Sequence, residues 1–219
     1  MISGPVELHM EDAERISGFL RPLYAEIYSD KVVGGKDAVM RIFDRWNNPE
    51  AVRRRMGSGT VYLMWSDDGR DVCLLAMQVL PDGVLYLDKL YTAPEARGSG
   101  LGSAAMEHAF GYARSRGCDI VTTHINAANA GALRFYGRHG LRCVATTRRS
   151  HDGGEYGYSY LVGIVPGSDS AGTVADRGRA SRPSRPSRRG APERLRSPPS
   201  RTGPWPAGRA TRGSTGSAT

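Results

Sequence analysis

The stretch of this 219-residue chain with the most chemistry in it is a glycine loop. Leu87-Asp88-Lys89-Leu90-Tyr91-Thr92 reads as the end of a largely apolar strand. It continues through Ala93–Arg97 into Gly98-Ser99-Gly100-Leu101-Gly102, which opens a helix. Helix N-termini expose unpaired amides and a partial positive charge, and glycines let a phosphate come close to those amides. The chemistry implied is a diphosphate cradle. A P-loop needs Gly-Lys followed by Ser or Thr, and this loop has none. A dinucleotide fingerprint is nominally present as Gly100-x-Gly102-x-x-Ala105. That pattern asks for its first glycine directly after the strand and an acid at the end of the next strand. Here six residues, Thr92 to Arg97, precede Gly98, and Asp119 stands at the start of the next strand. An ordinary loop capping a helix is the plain alternative.

The elements that must position this loop follow from hydrophobic periodicity. Val6–Met10 reads as a short strand. Glu11–Ser29 reads as a helix carrying Ile16, Phe19, Leu20, Leu23 and Ile27 at helical spacing, with Pro22 expected to kink or divide it. Asp37–Met56 is a second helical stretch, within which Pro49 can start a new turn. Thr60–Trp65, Val72–Leu80 and Val84–Tyr91 read as three strands joined at Asp67-Asp68-Gly69 and Pro81-Asp82-Gly83. A helix over 100–116 follows, capped by Gly117. Then come a strand over Asp119–Ile125, a helix over Ala130–His139 capped by Gly140, and a final strand pair, Arg142–Arg148 and Tyr156–Val165. The order describes one mixed α/β (α+β) domain over residues 1–165.

Charge separates this domain from the rest. Residues 1–165 hold 19 basic and 19 acidic side chains, whereas residues 166–219 hold 11 Arg, no Lys and 3 acids, so the net +8 lies entirely in the tail. In that tail 48 of 54 residues are Gly, Ala, Ser, Thr, Pro or Arg, too few apolar groups to offset backbone ordering at about 1–2 kcal/mol per residue. It is expected to be disordered. Three readings stand for it: a solvated extension, an electrostatic nucleic-acid contact without base readout, or a frame-shifted reading of a GC-rich message. Cys73, Cys118 and Cys143 have neither disulfide-framework nor CxxC spacing, and the five histidines show no metal spacing, so no metal is expected. No apolar run approaches the ~20 residues that span a bilayer. The first residues show no basic region followed by an apolar stretch. These features point to a reduced, cytoplasmic protein without a membrane partner.

Arg97-x-x-Gly100-x-Gly102 resembles the acetyl-coenzyme A signature of the GNAT superfamily of N-acetyltransferases. Downstream, Asn129-x-x-Ala132-x-x-Phe135-Tyr136-x-x-x-Gly140-Leu141 resembles that superfamily's second hallmark. The two stand in the right order, separated by one helix and one strand, and the resemblance covers roughly residues 5–165. It implies a mixed, mostly antiparallel sheet flanked by about four helices, and transfer of an acetyl group from acetyl-coenzyme A to a primary amine in a ternary complex. The acceptor it implies is a small-molecule or protein amine, and the protein a monomer or homodimer. A non-catalytic acyl-coenzyme A sensor on the same fold is the alternative.

The resemblance also assigns roles. Amides of Arg97, Gly98, Ser99, Gly100, Leu101, Gly102 and Ser103 would hold the diphosphate, with Arg97 adding a charge contact or serving as a plain surface residue. Backbone groups of Leu90, Tyr91 and Thr92 would meet the pantetheine arm, and the Leu90 amide would polarise the thioester carbonyl. Tyr136 would protonate the departing thiolate, unless it is simply a core aromatic. Asn129 would cap its helix and touch the coenzyme. Asp88 is the one acid on the strand before the loop, placed by alternation on the face of Tyr86 and Leu90. It would act as general base, bind the substrate ammonium, or pair with a neighbouring Arg; His124 is the second candidate for base. Tyr24, Glu26, Tyr28, Asp30, Trp46 and Tyr158 offer an acidic, aromatic wall suited to an amine or polyamine. Ala76 stands where several members carry glycine.

Overall fold

A computed structural model describes residues 1–151 and 154–168, with 149–151 and 154–156 described by backbone alone. The elements, in order, are β1 (Ile2–Leu8), α1 (Ala13–Tyr28), α2 (Gly35–Trp46), α3 (Pro49–Gly57), β2 (Val61–Asp67), β3 (Arg70–Leu80) and β4 (Val84–Thr92), followed by α4 (Leu101–Ser115), β5 (Ile120–Asn126), α5 (Ala130–Arg138), β6 (Arg142–His151) and β7 (Gly154–Ile164). Single 3₁₀ turns at Met10–Asp12 and Pro94–Ala96 lead into α1 and the glycine loop. The expected tail lies outside the described residues from position 169 onward.

One seven-stranded sheet has the order β1-β2-β3-β4-β5-β7-β6, and β4–β5 is its one parallel pair among the described residues. The mostly antiparallel α/β sheet expected from sequence is therefore present. Leu85, Leu87 and Val121 pack on one face against Met106 and Phe110 of α4 and Tyr136 of α5. On the other face, Tyr62, Met64 and Leu74 pack against Ile16, Leu20 and Phe43 of α1 and α2.

Local chemistry accounts for several boundaries. Asn48 accepts the Ala51 N–H at 2.7 Å and Pro49 fills the first turn of α3. The long helical stretch therefore becomes two helices, giving five α-helices among the described residues. Pro22 does not divide α1, which runs unbroken past it. Pro22 is exposed, so water can serve the Gly18 carbonyl that its missing N–H leaves free. The first strand runs from Ile2 to Leu8, earlier than its side chains suggested, because pairing with β2 decides it; most of its side chains are exposed.

Candidate active site

The parallel register of β4 and β5 pairs Val84 with Ile120 and continues to Leu87 with Thr123, where it stops. Beyond that point the strands part. Thr123 closes the last rung by donating its Oγ1 to the Leu87 carbonyl at 2.8 Å. On its other edge β4 remains paired with β3 up to Thr92, opposite Cys73.

Asp88 sits at a β-bulge. Leu87 lies opposite Met77 and Lys89 opposite Ala76, so Asp88 is the extra residue. A bulge breaks strand alternation in two ways. It places adjacent side chains on one face: Lys89 Nζ donates to Asp88 Oδ2 at 2.9 Å, and both lie toward α1–α3, where Lys89 continues the row Tyr62–Ala76. It also reverses which backbone groups point into the gap. Ala93 N–H donates to the Val72 carbonyl at 2.8 Å. By the alternation of an antiparallel ladder, Tyr91 then bonds Leu74, while Leu90 and Thr92 turn their N–H and C=O groups toward β5. Of the three residues expected to offer backbone to a pantetheine arm, Leu90 and Thr92 face the gap and Tyr91 does not. The expected shared face for Asp88, Tyr86 and Leu90 is likewise corrected: Leu90 packs with Leu85 and Leu87 on the α4 side.

The glycine loop lies beside this gap. Gly98 and Gly100 hold φ of +81° and +86°, and Gly100 caps α4. Helical bonding in α4 begins with Ala104 N–H to the Gly100 carbonyl (3.0 Å), which leaves the N–H groups of Gly102 and Ser103 ahead of the first intrahelical bond. The Leu101 N–H has a long contact to Ser99 Oγ at 3.4 Å, and the Leu101 side chain is buried in the core. Nothing lies within 4 Å of a Cβ built on Gly98 or Gly100, so there is room for a phosphate. Gly102 is different: a Cβ there would stand 3.3 Å from Phe135 Cε2, and its smallness lets α4 approach α5. Arg97 forms a two-pronged pair with Glu26 of α1 (2.5 and 2.9 Å) and donates Nε to the Thr92 carbonyl at 3.2 Å. Asn129 accepts the Ala132 N–H at 3.1 Å and caps α5.

Tyr136, 5 % exposed, stands on the α4 side of the gap beside Thr123 and Cys73. Burial pushes its phenol well above the ordinary value, against a lowering contribution from Thr123. Burial also pushes Cys73 up to about 11, and Thr92 Oγ1 points at its sulfur from 3.7 Å. On the opposite side of the sheet, burial opposes ionisation of Asp88. Lys89 at 2.9 Å and Arg55 at 3.5 Å outweigh it and hold the carboxyl below the usual carboxylate range. His124 of β5 also stabilises the ionised form of Asp88 and bonds the Tyr86 hydroxyl through Nδ1 at 2.8 Å.

The expected acidic wall takes another form. Tyr24, Tyr28 and Tyr91 cluster, with the Tyr28 and Tyr91 hydroxyls 3.0 Å apart, and Tyr158 joins from β7 through the Val32–Ala38–Val39 cluster. Glu26, however, is engaged by Arg97, and Asp30 by Lys31 at 2.8 Å. Trp46 contributes its carbonyl to Arg55 Nη1. Arg55, Tyr62, Lys89 and Thr123 escaped the reading of the sequence. One available signal was Asp88-Lys89, a charged pair inside an otherwise apolar strand.

Comparison with known proteins matches residues 20–141 to the acetyltransferase (GNAT) family. A curated relative, an uncharacterised N-acetyltransferase of Methanocaldococcus jannaschii, is 37 % identical over 58 residues, and the match spans 26 % of each protein's length. Among solved structures, the PaiA N-acetyltransferase of Thermoplasma acidophilum in complex with coenzyme A is 17 % identical, covering 75 % of this chain and 99 % of that one with a TM-score of 0.57. The ribosomal-protein-S18-alanine N-acetyltransferase of Escherichia coli is 17 % identical over 75 % of this chain and 94 % of its own, with a TM-score of 0.54. At such identities the structures speak for the fold. With more than half of its length matched by the family model, this chain belongs to the GNAT acetyltransferase family.

Proposed function

We propose that the protein transfers an acetyl group from acetyl-coenzyme A to a primary amine, directly and within a ternary complex. The observation that carries this reading is the parting of β4 from β5 after Leu87, which opens a gap beside the open N-terminus of α4, into which the bulge at Asp88 turns the Leu90 N–H. Acetyl-coenzyme A supplies a thioester as acyl donor. The Gly98–Ser103 amides and the α4 dipole suit its diphosphate, and the spacious positive-φ glycines let it approach. Arg97 ties that loop to α1. The Leu90 N–H donates to the carbonyl oxygen of the acyl group, a preorganised contact.

On the acceptor side, Asp88 receives the substrate ammonium. Its depressed pKa favours this contact over service as proton store, so the amine's proton leaves to water along the carboxylate. The amine nitrogen then bonds to the acetyl carbon as the carbon–sulfur bond breaks, and the second proton that nitrogen sheds in becoming an amide passes to solvent. The sulfur takes a proton from the Tyr136 phenol, which burial keeps protonated until that moment. Solvent later restores the Tyr136 proton.

The test is thiol release from acetyl-coenzyme A over a panel of primary amines with the full chain. Amine-dependent release with intersecting initial-velocity patterns is expected. Parallel patterns would refute direct transfer, and no amine-dependent release would refute the reaction.

A further inference from the structure

β4 is the fourth of seven strands, with helices packed on both faces of the sheet. Its neighbour β3 is what such a position demands: Val72–Met77 are buried without exception. The end of β4 is not. Leu90, Tyr91 and Thr92 all keep accessible surface, and all lie beyond Leu87, where pairing with β5 ends. The gap between β4 and β5 is therefore a cleft that solvent enters.

Tyrosines converge on it. Tyr24 and Tyr28 come from α1, Tyr91 from β4, Tyr136 from α5 and Tyr158 from β7. The Tyr24 ring lies 5.2 Å from that of Tyr28 and 5.5 Å from that of Tyr91, and the Tyr28 and Tyr91 hydroxyls are 3.0 Å apart. Tyr28 also interacts electrostatically with Tyr136 and Tyr158, which links this wall to the proposed acid. Surrounding protein raises the phenol pKa values of Tyr28 and Tyr91, yet both, like Tyr24 and Tyr158, are only half-buried. Side chains that are enclosed and still reachable form the wall of a cavity. A sealed core has no need of their hydroxyls, whereas a wet wall can satisfy them. This wall is also neutral. Glu26 and Asp30, the acids that flank Tyr28 in the chain, are engaged by Arg97 and Lys31.

We propose that the acceptor is an arylalkylamine, a primary amine joined by a short chain to an uncharged aromatic ring, with the ring held against Tyr28 and Tyr158 and the amine in the gap beside Leu90. A tyrosine face also attracts a cation. A polyamine, however, would bring its second ammonium out of water to a wall whose acids are already paired, at a desolvation cost that the rings return only in part. An aromatic ring loses nothing by leaving water and gains ring–ring contact besides. The inference rests on the acetyl-transfer reading above, and it replaces the expected acidic polyamine wall by an aromatic one.

Calorimetry on the full chain, saturated with coenzyme A, tests it with phenethylamine, tyramine and tryptamine against hexylamine, cadaverine and spermidine. At least one ring-bearing amine should bind roughly tenfold or more tighter than every ring-free one. In Tyr28→Leu and in Tyr158→Leu that preference should fall to within about twofold. Tyr28→Phe keeps the ring and loses only the bond to the Tyr91 hydroxyl, so it should retain the preference and guards against a Tyr28→Leu protein that fails to fold. The proposal is overturned if no ring-bearing amine binds, if hexylamine or the polyamines bind as tightly, or if the preference survives both leucine substitutions in folded proteins. A parallel thiol-release assay separates the two claims. A ring-bearing amine that binds with this preference but is never acetylated would refute acetyl transfer and leave the aromatic site standing. Acetylation confined to the ring-free amines would overturn the aromatic site and leave acetyl transfer standing.

Discussion

Replacing Asp88 by Asn should damage the fold before it reports on catalysis. The Lys89 side chain is 3 % exposed and that of Asp88 7 %, with 2.9 Å between Nζ and Oδ2. Among the described residues no other carboxylate pairs with Lys89. Removing one partner of a buried ion pair costs about 3–5 kcal/mol, because the remaining charge is left uncompensated in a weakly polar interior. The Asn oxygen can still accept from Nζ, which returns about 1 kcal/mol. The expected loss is thus about 2–4 kcal/mol, a large part of the 5–15 kcal/mol typical of a domain. With a mid-range urea slope of about 2 kcal/mol per molar, the unfolding midpoint should fall by roughly 1–2 M. Far-UV circular dichroism in urea measures it. Asp88→Asn combined with Lys89→Met removes the Asp88 and Lys89 charges and should recover part of the loss, Arg55 being left without its carboxylate. The wild-type pair also sets a pH dependence. Because the folded-state pKa is lowered, its contribution is present above the ordinary carboxylate value and is lost as pH falls through the lower folded value. The variant should lack that acid-side dependence. A loss under about 1 kcal/mol, or a double variant no more stable than the single one, would refute the description of Asp88 and Lys89 as a buried pair. Lower turnover in Asp88→Asn speaks for a chemical role only after stability is matched.

Tyr136→Phe should keep the fold and lower turnover about 10²-fold or more, the range of a general acid. Since burial raises the phenol's pKa, wild-type turnover should show no alkaline loss from this group up to pH ~10, and full turnover in the variant across the pH range would exclude the acid role. Gly100→Ala should cost about 1–2 kcal/mol in urea unfolding, from left-handed backbone strain at φ +86° and not from crowding, so Gly100→Asn should cost less. Native protein at pH 8 should take up one iodoacetamide, at exposed Cys143, because Cys73 and Cys118 are buried with raised pKa values; intact mass before and after denaturation counts the labels.

Much of the architecture was legible because it is written in local periodicity. The apolar spacing of Ile16, Leu20 and Leu23 in α1 survives as buried positions, and the turns at Asp68-Gly69 and Asp82-Gly83 use positive φ as their residue types suggested. Asn129 and Gly100 announced helix starts, since their capping chemistry depends on a few adjacent residues. What failed was alternation across Asp88. A bulge is set by pairing with another strand, and no feature within Val84–Thr92 reveals how many residues face each partner on β3. The acidic wall failed for the same kind of reason: Glu26 and Arg97 are 71 residues apart, and their pairing is visible only once α1 lies over the loop.

By itself, then, the sequence determined the order of elements, the glycine loop that opens α4 and the Asn129–Tyr136 helix, because each depends on contacts within a turn or a repeat. The tertiary structure alone decided which backbone amides enter the gap, and that Asp88 is an ionised carboxylate between buried Lys89 and half-buried Arg55. Those are properties of strand register and of a shared low-dielectric interior, which bring Arg55, Tyr62 and Lys89 together from a helix and two strands.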